Sequence, residues 1–239
     1  MIYLDSDDFP VNEHYDGGDS AVRAGILAMT CSESDWDPFA TTEMYHVGDG
    51  NFVRHPKQTP WNNPKNFSRD QLMMLIPSLS PTNARKALLG VVKRFGFAQN
   101  TERDAVGTTK YPWPHKVDGE WRMFDYADPL LPNHWGALIL RSKLYFLYPL
   151  LLVSYLFHLV TLYAHSKGNH YEENQMIAES YVYGTLKLFV KWKPNWVDVS
   201  KEYWGKRNEI EYHNLLVNFI KFQTNDGYKL LSEIVGVKK

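Results

Sequence analysis

The stretch "LYFLYPLLLVSYLFHLVTLYA", Leu144 to Ala164, decides how this chain can fold. It holds no formally charged residue and is long enough to be weighed as a membrane span. Pro149 interrupts it near the start and leaves Pro149–Ala164, slightly short for a crossing. Proline suits the first position of a helix, so a helix is expected to begin there. Ser154, His158, Thr161 and His165 then recur at i, i+4, i+7 and i+11, which is one helical face. Leu, Val, Phe and Tyr fill the remaining faces. An apolar helix with one polar seam predicts a buried central helix of an all-α domain, its seam turned to a cavity or to hydrogen-bond partners. His158 is expected as a hydrogen-bonded core histidine, or in the sharper case as a cavity wall. The alternative is a membrane-associated protein that uses 144–164.

Helix signals dominate outward from this run. "DSAVRAGILAM" offers Asp19 or Ser20 as N-cap and the apolar spacing Val22, Ile26, Met29. "SRDQLMMLIPSL" opens with Ser68 and Gln71 in capping-box spacing and is stopped by Pro77. "SPTNARKALLGVVKRFG" has Ser80 as N-cap, Pro81 at the first helical position and Gly96 past its end. Further helices are expected from about Asp128–Pro129 to before Pro149, from Tyr171 to Trp192, over "VSKEYWGKR", over "EYHNLLVNFIKF" and over "GYKLLSEIVG". "EMYHVGDGNFVRH" and "HKVDGEWRMF" carry Gly-containing turns between short runs and predict small hairpins. The expected fold is mainly α. It is a single domain, 1–239, built as an antiparallel helical array with one or two small β-hairpins.

Formal net charge is −1 with no long basic run, so a nucleic-acid partner is not expected. The single cysteine, Cys31, cannot close an internal disulfide and is read as a small core residue. The start, "MIYLDSDDFP", lacks the basic and apolar regions of a signal peptide, which makes the cytoplasm the expected compartment. No phosphate-binding or dinucleotide loop, nucleophile elbow or H-E-x-x-H occurs, and no cofactor is called for. "DSDDFPVNEHYDGGD" lacks calcium-loop spacing, and no His/Cys pattern has zinc spacing, so no metal is expected.

Three segments concentrate chemistry instead. "NFVRHPKQTPWNNPKNFSRDQL" brings Arg54, His55, Trp61, Arg69 and Asp70 into one Pro-stiffened loop that runs into a helix. Asp70 suits the positive end of that helix, whereas Arg69 does not and is expected to reach a carboxylate or an anion. "HYDGGDSAVRAG" places Asp16 and Asp19 around Gly17 and Gly18, which let the backbone approach a partner closely. "WRMFDYADPLLPNHWG" adds Asp125, His134 and Trp135, while Asp128 is explained as an N-cap. Glu172, Glu173 and Glu179 are read as a solvated helix face.

These loops between Trp- and Tyr-rich helices resemble the carbohydrate-active (α/α) toroids, which include glycoside hydrolases and polysaccharide lyases. The resemblance rests on "YDGGDSAVRAG", "RHPKQTPWNN" and "DPLLPNHWG". It implies an incomplete toroid with a loop-lined cleft and acid/base cleavage of a glycan or similar polar substrate. Asp19, Asp125 and His55 are the expected catalytic residues. Arg54, Trp61, Arg69, Asp70, His134 and Trp135 are the expected substrate contacts, with the tryptophans stacking on the ligand. The alternative is a non-catalytic helical binding or assembly module, viral or bacterial, in which the same loops hold a protein partner.

Overall fold

The computed structural model describes residues 2–30, 38–48, 50–64, 67, 69–93, 115–117, 120–122, 132–166 and 194–223. Within them the protein is mainly α. The helices are α1 (Ser20–Thr30), α2 (Pro38–Met44), α3 (Arg69–Leu75), α4 (Pro81–Lys93), α5 (Pro132–Ser142), α6 (Leu151–Ser166), α7 (Pro194–Gly205) and α8 (Ile210–Gln223). Three antiparallel pairs of short strands accompany them: β1 (Tyr3–Leu4) with β2 (Pro10–Val11), β3 (His46–Gly48) with β4 (Asn51–Phe52), and β5 (His115–Val117) with β6 (Glu120–Arg122). The second and third fall on the two expected hairpins, and the first has no Gly turn to announce it. The helices expected over 171–192 and "GYKLLSEIVG", and the residues Cys31, Gly96, Asp125 and Asp128, lie outside the described residues.

The central helix is α1, not the apolar run at 144–164. Every residue from Ser20 to Ala28 that carries a side chain is buried. One side of α1, with Ala21 and Ala24, joins Phe9, Tyr45, Phe52, Leu72 and Leu138 in the larger core. The other side, with Val22, Ile26 and Leu27, joins Met74, Trp204, Tyr212 and Leu216 in a second core. Small residues let α3 come close: a methyl group at Gly25 would stand 2.1 Å from the Met74 carbonyl oxygen. That distance excludes any side chain unless the two helices separate.

Between those cores Arg23 is 2% exposed and donates through Nε and Nη2 to the two carboxylate oxygens of Glu209, each at 2.8 Å. Glu209, 1% exposed, sits in the turn between α7 and α8. In that turn its amide donates to the Trp204 carbonyl at 2.9 Å, and Asn208 adopts φ 55°. Asparagine tolerates this left-handed conformation better than most residues. The pair joins positions 186 apart in sequence and fixes α8 to the middle of α1.

A second layer runs α4–α5–α6. Ser80 Oγ accepts from the Asn83 amide at 3.2 Å, the expected cap of α4. α5 is described over Pro132–Ser142, the expected start near Asp128 lying outside the described residues, and it stops at Lys143, whose φ of 55° breaks the helix. Tyr145–Leu150 then form a 3-10 helix containing Pro149, and α6 starts at Leu151, two residues past the expected proline start. Pro77 likewise tightens the end of α3 into a 3-10 turn, Ile76–Ser78. Gln71 does not act as a capping-box partner: its Nε2 donates to Asp19 Oδ1 at 3.0 Å, across to α1.

The apolar side of α6, not its seam, departs from expectation. Ser154 and His158 of the seam turn inward, 1% and 0% exposed, and Ser154 Oγ lies 3.4 Å from Asn133 Oδ1 on α5. Leu152, Val153, Leu156 and Val160 point outward and are each more than half exposed. The helix is not a buried central rod. Small groups on α5 admit the seam: a methyl at Gly136 would meet Ser154 Oγ at 2.5 Å. Among the described residues no helix is long and apolar enough to cross a membrane.

The ion pair makes a stability prediction. Removing one partner strands a buried charge and costs about 3–5 kcal/mol, whereas replacing both by apolar residues of similar size is close to neutral. Glu209→Ala is therefore expected to lower the urea-unfolding free energy far more than the double variant Arg23→Met/Glu209→Leu. Equal losses in the two variants would show that the pair, rather than its orphaning, carries the stability.

Candidate functional site

The N-terminal end of α1 is surrounded by short-range loop chemistry. Asn12 Oδ1 accepts from the His14 and Asp16 amides at 2.9 and 2.8 Å, folding 12–16 into a tight turn. Asp16 Oδ1 accepts from the Gly18 amide at 3.1 Å and from Trp61 Nε1 at 2.6 Å. The Trp61 carbonyl in turn accepts from the amides of Arg54 and His55 at 3.1 and 3.2 Å, closing 54–61 into a loop. Gly17 is required where it stands, because a methyl there would fall 2.4 Å from the His55 ring.

His55 holds this loop from behind. Its Nδ1 accepts from the Lys57 and Gln58 amides at 3.1 and 3.0 Å, which leaves the proton on Nε2, 2.9 Å from Asp5 Oδ2. The ring is fully buried and packs edge-on against Phe9 at 5.0 Å. Burial lowers its pKa, and the opposing pull of Asp5 is not enough to restore it. A neutral, enclosed imidazole that accepts two amide bonds acts as a loop organiser; it has no face on the cavity described next.

Asp19, Arg54 and Trp61 do share a cavity, of about 420 Å³. The loop contributes Asn12, Glu13, His14 and Asp16 to its wall, α1 contributes Arg23, and the α7–α8 turn contributes Lys206, Arg207 and Glu209. Arg207 donates to Asp19 Oδ2, and its guanidinium lies over the Tyr203 ring, 4.1 Å from the centroid. Asn208 Nδ2 donates to Glu13 Oε2 at 3.5 Å and ties the two loops across the opening. Arg54 donates through Nη1 to the Gly18 carbonyl at 3.0 Å, lies 3.7 Å from Asp19 Oδ1, and stands 5.7 Å from the centre of the Trp61 ring.

Asp19 is therefore the hub of the cavity rather than a side-chain cap, although its carbonyl does accept from the Arg23 amide. Burial pushes its pKa up, but the charge and hydrogen bond of Arg207, then the charges of Arg23 and Arg54, outweigh burial and lower it. The carboxylate is ionised at neutral pH. Arg23 Nη1, buried on the same wall, has no hydrogen-bond partner among the described residues.

The other expected site residues lie elsewhere. His134 is fully buried on α5, and Trp135 packs against the larger core, so neither lines this cavity. Both belong to the α4–α5–α6 layer, where helical spacing turns them inward. Arg69 and Asp70 occupy the first turn of α3, and their side chains, like the whole of Asp125, lie outside the described residues. The cationic side, Lys206 and Arg207, falls at the end of the short helix expected over "VSKEYWGKR", where the sequence assigns it no site role. Its one signal is the charge cluster "GKRNEIE" just past Gly205, where helix spacing no longer pairs charges. Among the described residues no group of three His, Cys, Asp or Glu is arranged to hold a metal ion.

A lowered carboxyl pKa gives stability that is present above the ordinary aspartate value of 3.8 and is lost as pH falls through the folded value. Asp19→Asn is expected to flatten the acid limb of stability against pH, measured by urea unfolding below neutral pH. An unchanged limb would show that the Arg207 pairing gives no net stability. Compared with protein-family models, curated proteins and solved structures, the chain has no match.

Proposed function

We propose that this cavity binds a polar, hydroxyl-rich small molecule or glycan. The observation that carries the proposal is the convergence of Asp19, Arg54, Arg207 and Trp61 on one cavity of about 420 Å³. The volume falls within the roughly 300–1,000 Å³ of small-molecule sites. Four cations and four carboxylates line it, Arg23, Arg54, Lys206 and Arg207 against Glu13, Asp16, Asp19 and Glu209, so the wall offers donors and acceptors without a dominant sign. Hydroxyl groups, each both donor and acceptor, match such a wall. Trp61, half-buried at its side, supplies the flat apolar surface that sugar rings pack on. In this proposal the helices form part of an incomplete (α/α) toroid within one domain, with the cavity at one end of α1.

Binding is favoured over turnover by the state of Asp19. A proton donor needs a carboxyl that holds its proton near neutral pH, and Asp19 is shifted the other way. In a hydrolase or lyase Asp19 would serve as a base or a fixed negative charge, and Asp125 would be left as the donor. In the binding-module alternative the same wall would hold a polar protein segment.

The test is a titration of neutral and uronate-containing oligosaccharides against the wild type and Arg207→Ala, followed calorimetrically and for product release. Arg207 sits partly exposed in a turn, so the variant is expected to fold and to bind about tenfold or more weakly, the loss of one charge-assisted hydrogen bond. Absence of binding across the series would sink the glycan proposal, and product formation would move it from module to enzyme.

A further inference from the structure

The outer surface of the 3-10 helix and α6 is inside out for an element facing water. Ser154 and His158 are turned to the protein interior, while Phe146 is 76%, Leu152 62%, Leu156 53% and Val160 62% exposed. Helices of water-soluble proteins place their apolar stripe inward. Polar groups toward the bundle and apolar ones away from it is the arrangement of helices that meet lipid.

Charge separates the occupants of such a face. No Asp or Glu occurs in α4, in α5, in the 3-10 helix or in α6. Glu43, which reaches α4 from α2, is engaged by the Ser80 amide and Asn83. The same layer carries Arg85, Lys86, Arg141 and Lys143. Arg85 donates to the Ser142 carbonyl at 2.8 Å, which brings its charge to the end of α5 beside exposed Lys143. Tyr145 and Phe146, 68% and 76% exposed, follow directly. Basic groups next to exposed aromatics at one end of an apolar helix fit the headgroup boundary of an anionic bilayer. A second copy of the chain would cover the apolar area equally well but would give no role to a flank that among the described residues carries basic groups and no acid of its own elements.

We propose that this face docks on the surface of a bilayer containing anionic lipid. α6, with 16 residues, lies along the headgroup–acyl boundary and does not cross it.

The experiment is co-sedimentation of the full chain with phosphatidylcholine vesicles and with vesicles in which part of that lipid is replaced by phosphatidylglycerol. Binding is expected to the anionic vesicles, to weaken with added salt, and to fall about fivefold for Lys143→Gln. Leu152→Ser/Leu156→Ser, at exposed positions, should keep the helical circular dichroism of the wild type and abolish binding. Failure to sediment with either vesicle overturns the proposal. So does binding that the serine pair leaves unchanged, or equal binding to both vesicle types at all salt concentrations. A concentration-dependent dimer that the serine pair dissolves, without vesicle binding, would assign the face to a second copy.

Discussion

Two buried charges hold this protein's parts in register. Arg23, in the middle of α1, and Glu209, in the turn before α8, meet through two parallel hydrogen bonds in surroundings that exclude water. Neither can shift without stranding the other, because a lone buried charge is far more costly than a paired one. The pair therefore sets where the α7–α8 turn lies over α1. With Glu209 held, Arg207 two residues earlier reaches Asp19, and Arg23 and Glu209 themselves stand on the cavity wall. One constraint thus closes the second core around Trp204 and Tyr212 and builds the basic wall of the site.

The opposite wall is built locally. Asn12, Asp16 and Gln58 replace secondary structure with side-chain-to-backbone bonds, and His55 ties the 54–61 loop down from the protein interior. His55, one of the expected catalytic residues, is what gives Arg54 and Trp61 their positions. Its Nδ1 is taken by two amides, and its Nε2 stands 2.9 Å from the Asp5 carboxylate. Asp19, conversely, looked like a helix cap and is the carboxylate on which Arg54, Arg207 and Gln71 converge.

The two faces of the molecule differ in kind. Around α1, Arg23, Arg54 and Arg207 are opposed by Glu209 and Asp19, and the apolar groups of the helix turn inward. In the α4–α5–α6 layer basic groups stand without acids in the same elements, and leucine and valine turn outward. The proposed ligand cavity and the proposed lipid-facing surface thus rest on separate elements of one fold.

Local sequence determined the helices. Caps such as Ser80, the proline at the start of α4, and the Gly-containing turns of two hairpins act within a few residues and are legible without tertiary information. The mainly α class follows from them. The candidacy of Asp19, Arg54 and Trp61 was also legible, because their segments combine turn formers with more charges than one helix end explains. Tertiary structure alone decided which helix is central. Alanines and a glycine on α1 permit close approach from two sides, while the greasier α6 turns Leu151, Tyr155 and its polar seam inward and leaves Leu152, Val153, Leu156 and Val160 outward. It alone decided the partner of each charge, since Arg23 and Asp19 are paired with residues 186 and 188 positions away. Hydrophobicity and spacing describe what a segment can bury. What it meets depends on distances between segments, which close only when the chain has folded.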